Sequence, residues 1–143
     1  MSKEATEFQR KSMSRMYRGT EIFKPTNTGW IDDHVASVRE WVANIFFYRK
    51  GDATIMIDAG YNYDRLAEKM SWLGIDPAEI KDVFITHQDT DHVGAVEADS
   101  PGTFRNAILY IGEIENKYLT GETPRRVIYR MYKLPHVSIP NKK

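Results

Sequence analysis

Ile85-Thr86-His87-Gln88-Asp89-Thr90-Asp91-His92-Val93-Gly94 places two imidazoles and two carboxylates within the six residues from His87 to His92. It is the densest group of metal-ligand side chains in the chain. The run just before it, Asp82-Val83-Phe84-Ile85-Thr86, is short, apolar and β-branched, and reads as a strand. The cluster therefore stands where the chain leaves a sheet.

Working back from it, Asp76-Pro77-Ala78-Glu79 resembles a helix start: an acidic cap, proline at the first helical position and a glutamate three residues after the cap. Before that, Leu66, Met70 and Leu73 share one helical stripe over residues 64–73, with Gly74 as the stop. Further upstream, Trp41-Val42-Ala43-Asn44-Ile45-Phe46-Phe47-Tyr48 and Ala53-Thr54-Ile55-Met56-Ile57-Asp58 flank the turn Lys50-Gly51-Asp52, which predicts a hairpin. Its second run is almost continuously apolar, as expected of a strand covered on both faces. That strand ends in Asp58-Ala59-Gly60. Strand, helix, strand in this order predicts an α/β fold (α+β by some schemes) with a mixed sheet, and ligands beyond the carboxyl ends of the strands. Asp58 and the His87–His92 cluster then share one rim.

Elsewhere the pattern is plainer. Residues 3–17 read as a helix or arm and Thr20–Phe23 as a short strand, followed by a turn-rich Thr26-Asn27-Thr28-Gly29. After the cluster, Val93–Ala98 opens a helix, Ala107–Ile111 reads as a strand, and Gly112–Leu119 and Thr123–Lys133 as helices. The 143 residues allow one domain with a core. We divide them into an N-terminal arm, 1–18, and a domain over 19–143.

Composition narrows the chemistry. With no cysteine, any metal is held by nitrogen and oxygen, and a disulfide framework is excluded. No apolar run approaches the roughly 20 residues a membrane span requires, and the charged N-terminus is unlike a signal peptide. A cytoplasmic location without membrane association is expected. Net charge is zero, yet residues 117–143 carry seven Lys or Arg against the single acid Glu122. We read that basic tail as a solvated helix face and frayed end rather than as a nucleic-acid site.

On a tight loop, side chains at i, i+2, i+4 and i+5 can converge on one or two cations, and imidazole with carboxylate suits zinc, manganese or iron. A metal pair would polarise an acyl or phosphoryl oxygen and activate water, while Asp58 could orient a ligand imidazole from behind. Taken singly, Asp-Thr-Asp is ordinary turn chemistry, and a lone histidine at a strand end is ordinary surface. The grouping is what favours a metal site.

Thr86 to Ala95 resembles the T-H-x-H-x-D-H-x-G signature of the metallo-β-lactamase superfamily, and Ile55-Met56-Ile57-Asp58-Ala59-Gly60 resembles the strand ending in Asp-x-Gly that precedes it. The similarity extends over about residues 41–112. It implies the N-terminal half of an αββα sandwich, with helices on one face of the sheet. By position, His87 and Asp89 would serve a first metal and Asp91 and His92 a second, with Asp91 catalytic and Asp58 the supporting acid. The implied cofactor is a divalent metal, zinc first and iron or manganese as alternatives, up to two ions once the site is completed. The implied activity is hydrolysis of a small-molecule ester, thioester, amide, lactone or phosphodiester by a metal-bound hydroxide.

Two departures stand out. Position 89 is Asp where the family usually has His, which gives a harder, more anionic site. The later G-H-T-x-G-H segment and the ligands beyond it do not occur before Lys143, and neither His136 nor His34 lies in a matching context. The expectation is thus a partial domain with an open sheet face. Such a domain would form a homo-oligomer or pair with a C-terminal half, and would be poorly active in isolation. The alternative is a non-catalytic half-domain that associates and binds metal weakly or not at all.

Overall fold

The computed structural model describes residues 24–97, 104 and 107–123. Six strands form a single sheet in sequential order: β1 (Gly29–Trp30), β2 (Val35–Glu40), β3 (Ala43–Lys50), β4 (Ala53–Ile57), β5 (Asp82–Ile85) and β6 (Ile108–Ile111). The first three pairings are antiparallel. The last two, β4 with β5 and β5 with β6, are parallel. Parallel neighbours need a crossover, and helices supply it: α1 (Tyr63–Trp72) between β4 and β5, and α2 (Thr90–Glu97) between β5 and β6. Helix α3 (Glu113–Leu119) follows β6. The result is the mixed α/β sheet expected from the strand–helix–strand order.

Helix α1 forms where its apolar stripe predicts. Asn62 caps it by accepting the N–H of Arg65 at 3.1 Å; Tyr63, Leu66 and Met70 are buried; and Gly74 follows the Leu73 cap with φ of 66°. The Asp76-Pro77 start yields only one turn of 3₁₀ helix, Pro77–Glu79, because Lys81 and Asp82 already lead into β5.

Register aligns side chains into rows across the sheet. Ala36, Phe47, Met56, Val83 and Leu109 are cross-strand partners over five strands, and each is at most 2% exposed. They pack with Leu66, Met70, Val93, Val96 and Leu119 from the helices into one core. The three helices among the described residues therefore serve the same face. One register step away, Ser37, Phe46, Ile57, Phe84 and Tyr110 form the matching row on the other face. There, Phe84 and Tyr110 stack at 4.6 Å with 39% and 38% of their surfaces exposed.

Two sequence expectations are corrected and two strands are added. β4 is not covered on both faces: Thr54 and Met56 are buried, but Ala53 is exposed and Ile55 and Ile57 are half-buried. An apolar run reports affinity for a cover, not its presence. The strand β2, with its short neighbour β1, was not anticipated; Ser37, Arg39 and Glu40 interrupt its apolar pattern, although Ser37 and Glu40 are in fact buried. Helix α2 begins at Thr90, three residues ahead of the expected Val93, so Asp91 and His92 lie on its first turn. The expected arm and strand over residues 1–23, all but the first residue of the helix expected over Thr123–Lys133, the basic end of the chain and His136 lie outside the described residues.

Candidate metal centre

β4 and β5 run parallel, so the residues that follow them emerge on the same rim. Asp58 follows β4 in a left-handed conformation, φ 61°, that side chains seldom adopt and that costs on the order of 1 kcal/mol. Its surroundings hold it there. The Asp58 N–H bonds to the Phe84 carbonyl at 2.8 Å, and the next N–H, Ala59, bonds to the His92 carbonyl at 2.7 Å.

The Asp58 carboxylate, buried to 7% side-chain exposure, is the hub of the rim. Oδ1 accepts the Thr86 N–H at 2.8 Å, and the Thr86 hydroxyl lies 2.9 Å from both carboxylate oxygens. Oδ2 lies 2.7 Å from His92 Nδ1. A carboxylate only accepts, so His92 carries a proton on Nδ1, and in the neutral ring the lone pair is then on Nε2. The Thr86 hydroxyl has one proton, which it gives to Asp58; it then accepts from His87 Nδ1 at 2.9 Å. In a neutral His87 the lone pair is then on Nε2, the nitrogen that lies 3.3 Å from Asp89 Oδ2. One buried acid and one threonine thus set the tautomers of both histidines. Thr86 was visible in the sequence motif, but nothing there marked it as the link.

The four motif side chains stand as two pairs. His87 Nε2 is 3.3 Å from Asp89 Oδ2, and His92 Nε2 is 3.6 Å from Asp91 Oδ2. The imidazole rings lie 3.8 Å apart between centroids. Among the described residues, however, no three His, Cys, Asp or Glu side chains converge to hold a metal ion. The donor chemistry fits a divalent cation, with two imidazole nitrogens and two carboxylates, but each pair offers only two ligands where a mononuclear catalytic site keeps three.

The negative charges leave their mark on nearby groups. Burial disfavours the charged form of His92, yet the Asp58 hydrogen bond and the charges of Asp58, Asp91 and Asp89 outweigh it, and the pKa lies above the usual 6.5. Tyr61, beside the same acids, is pushed up to about 12 by burial, then by Asp91 and Glu40.

Two carboxylates absent from the sequence reading grip the backbone of the rim. Glu115 on α3 accepts the Gln88 N–H at 3.1 Å, between His87 and Asp89. Glu40, at the end of β2, accepts the Tyr61 N–H at 2.7 Å. Both contacts span more than twenty residues, so no local pattern announces them. Gly94 serves the same arrangement: a Cβ there would sit 2.3 Å from the Tyr61 carbonyl oxygen, so only glycine lets α2 approach the 58–61 loop this closely. His34 lies at the opposite end of β2, its Nδ1 3.0 Å from the Arg49 carbonyl, and takes no part in the rim.

A cavity of about 440 Å³ opens beside Asp58, Thr86, Asp91 and His92, with Val42, Phe46 and Ile57 forming its apolar flank. His92 and Asp91 thus face a space with one polar and one apolar wall.

A sequence profile described as the metallo-beta-lactamase superfamily matches residues 38–132, more than half of the chain. No curated protein matches. Among solved structures, the Rm3 metallo-beta-lactamase superposes with a TM-score of 0.65 at 13% identity, covering 87% of this chain and 47% of its own. MEM-A1, a subclass B3 metallo-beta-lactamase from a soil metagenome library, gives 0.63 at 18% identity, with 83% and 46% covered. BJP-1, a subclass B3 metallo-beta-lactamase of Bradyrhizobium japonicum, gives 0.61 at 18% identity, again with 83% and 46% covered. The chain spans a little under half the length of these structures. At such identities they establish the fold.

Proposed function

Because the chain belongs to the metallo-β-lactamase superfamily, we propose that it is the motif-bearing half of a metal-dependent hydrolase acting on a small-molecule ester, thioester, amide, lactone or phosphodiester. His87, Asp89, Asp91 and His92 are its metal-binding residues, Asp91 is its catalytic carboxylate, and Asp58 orients His92. The observation that carries this reading is the Asp58 hub: its 2.7 Å contact with His92 Nδ1, and its link through Thr86 to His87 Nδ1, engage both Nδ1 atoms and leave both Nε2 atoms available to a metal in the neutral rings. A bound divalent ion, zinc by family habit and iron or manganese as alternatives given Asp89, supplies the Lewis acidity that activates water. Asp91 borders the cavity in which a substrate would sit, and the apolar flank of Val42, Phe46 and Ile57 favours an apolar group on that substrate.

The pairwise arrangement of donors supports a second reading, a half-domain that is not catalytic by itself. The open row of Phe46, Ile57, Phe84 and Tyr110 supports association, either with another copy or with a C-terminal half resembling the remainder of the solved structures. No helix among the described residues is long and apolar enough to cross a membrane, and a cytoplasmic setting remains part of the proposal.

Metal analysis after zinc loading and dialysis separates the two readings. Retention of one or two equivalents, lost in His87→Ala and His92→Ala, is the expected result, with Asp58→Ala weakening affinity roughly 10- to 100-fold. No retained metal, or hydrolysis indifferent to His87→Ala, favours the non-catalytic half-domain.

A further inference from the structure

We propose that Glu40, far from the motif in sequence, is a positioning residue for the rim: it holds the 58–61 loop so that Asp58 keeps His92 in its orientation. Glu40 ends β2 and is 1% exposed. A carboxylate buried to that extent needs partners, and it finds them in the site loop. Oε2 accepts the Tyr61 N–H at 2.7 Å. Oε1 lies 3.3 Å from Arg65 Nε on α1, an ion pair that lacks hydrogen-bond alignment. The carboxylate also fills the space beside Gly60, where a Cβ would lie 2.6 Å from Oε2; Gly60 itself has φ of 64°. The acid and the glycine therefore fit together as a unit.

The 58–61 loop needs such a clamp. Asp58 is left-handed at 61°, a conformation that persists only where the surroundings over-determine it. Each residue of the loop has a backbone bond to a different part of the molecule: Asp58 to Phe84, Ala59 to His92, Gly60 through its carbonyl to Ala95, and Tyr61 to Glu40. Three of these bonds join backbone to backbone along β5 and α2. The fourth is made by a side chain, and it ties the loop to the antiparallel half of the sheet. Without it, the loop backbone has bonds to β5 and α2 only, and the Tyr61 ring resting on Trp41 at 6.4 Å between centroids is a looser tie to the antiparallel half. Asp58 then loses its fixed aim, and His92 loses its fixed ring.

The relevance of this clamp to metal binding rests on the proposed metal site; the orientation of His92 does not. Proton NMR of the metal-free protein reads that orientation directly, because an imidazole Nδ1–H bonded to a buried carboxylate is shifted far downfield and protected from exchange. The resonance is expected in the unsubstituted chain and in Glu40→Gln, whose amide oxygen can still accept from Tyr61. It is expected to broaden beyond detection in Glu40→Ala and in Glu40→Asp, which falls one methylene short. Ile80→Val, in the core away from the rim, lowers stability and leaves the resonance in place, which separates positioning from general loosening.

Absence of the resonance from the unsubstituted chain, or its persistence in folded Glu40→Ala, overturns the proposal. Where Glu40→Ala does not fold, persistence in Glu40→Asp overturns it equally. A cobalt(II) titration adds a second readout: affinity falls roughly 10-fold in Glu40→Ala and recovers in Glu40→Gln. If the unsubstituted chain binds no cobalt, the metal-site reading fails while the resonance still decides the role of Glu40.

Discussion

The two faces of the sheet carry similar side chains and differ in cover, most of all at the β5–β6 end. On one, the row Ala36, Phe47, Met56, Val83, Leu109 is at most 2% exposed; on the other, Phe84 and Tyr110 of the neighbouring row are 39% and 38% exposed. Both rows are mainly apolar, and both follow from the same two-residue alternation. What separates them is the placement of α1, α2 and α3 over the first. Burial here is decided by what covers a face, not by the hydrophobicity of its residues. The difference also bears on the site, since the cavity beside Asp91 and His92 runs onto the uncovered face through Phe46 and Ile57. Whatever covers that face would close the site as well.

Substitutions can break this contrast. The largest effect is expected from Phe47→Ala on the covered face, which removes a fully buried ring and should cost about 3–5 kcal/mol in denaturant unfolding. Gly94→Ala comes next. Its new Cβ would meet the Tyr61 backbone at 2.3 Å, so α2 must back away, at a cost of about 1–3 kcal/mol in the same measurement. Phe84→Ser on the other face should cost less, about 1–2 kcal/mol, since more than a third of the residue is already exposed and its stacking on Tyr110 is lost with the rest. If that face mediates association, light scattering should nonetheless show a lower average mass. A loss as large as that of Phe47→Ala would mean the two faces are equally covered.

The smallest effect belongs to the turn before β2, where the Asp32 carboxylate accepts the N–H groups of His34 and Val35, each at 2.7 Å. These bonds hold its pKa below 3.8. Because the folded value is the lower one, the contribution of the turn is complete above 3.8 and is lost as pH falls through the depressed pKa. The amide shifts of His34 and Val35 should follow with a midpoint under 3.8.

Much of the frame was legible because its signals are local. The stripe of Leu66 and Met70, the Gly74 stop and the runs ending at Asp58 and Thr86 each need only neighbouring residues to be read. The start of α2 was less so, since Asp-Thr-Asp serves a loop or a helix's first turn equally well. β2 was not legible at all. Its Ser37 and Glu40 look like surface residues, and they are buried because Ser37 meets Asn44 across the strand and Glu40 meets Tyr61 across the fold.

Sequence alone therefore determined the kinds of donor at the rim, their spacing and the strand ends that carry them, because these depend on residue type and short-range order. Tertiary structure alone decided that Thr86 links Asp58 to His87, that Glu40 and Glu115 hold the two rim loops, and that the described helices all pack on one face of the sheet while Phe84 and Tyr110 on the other are exposed. Those outcomes rest on contacts between residues distant in the chain, and on which side of the sheet the helices pack.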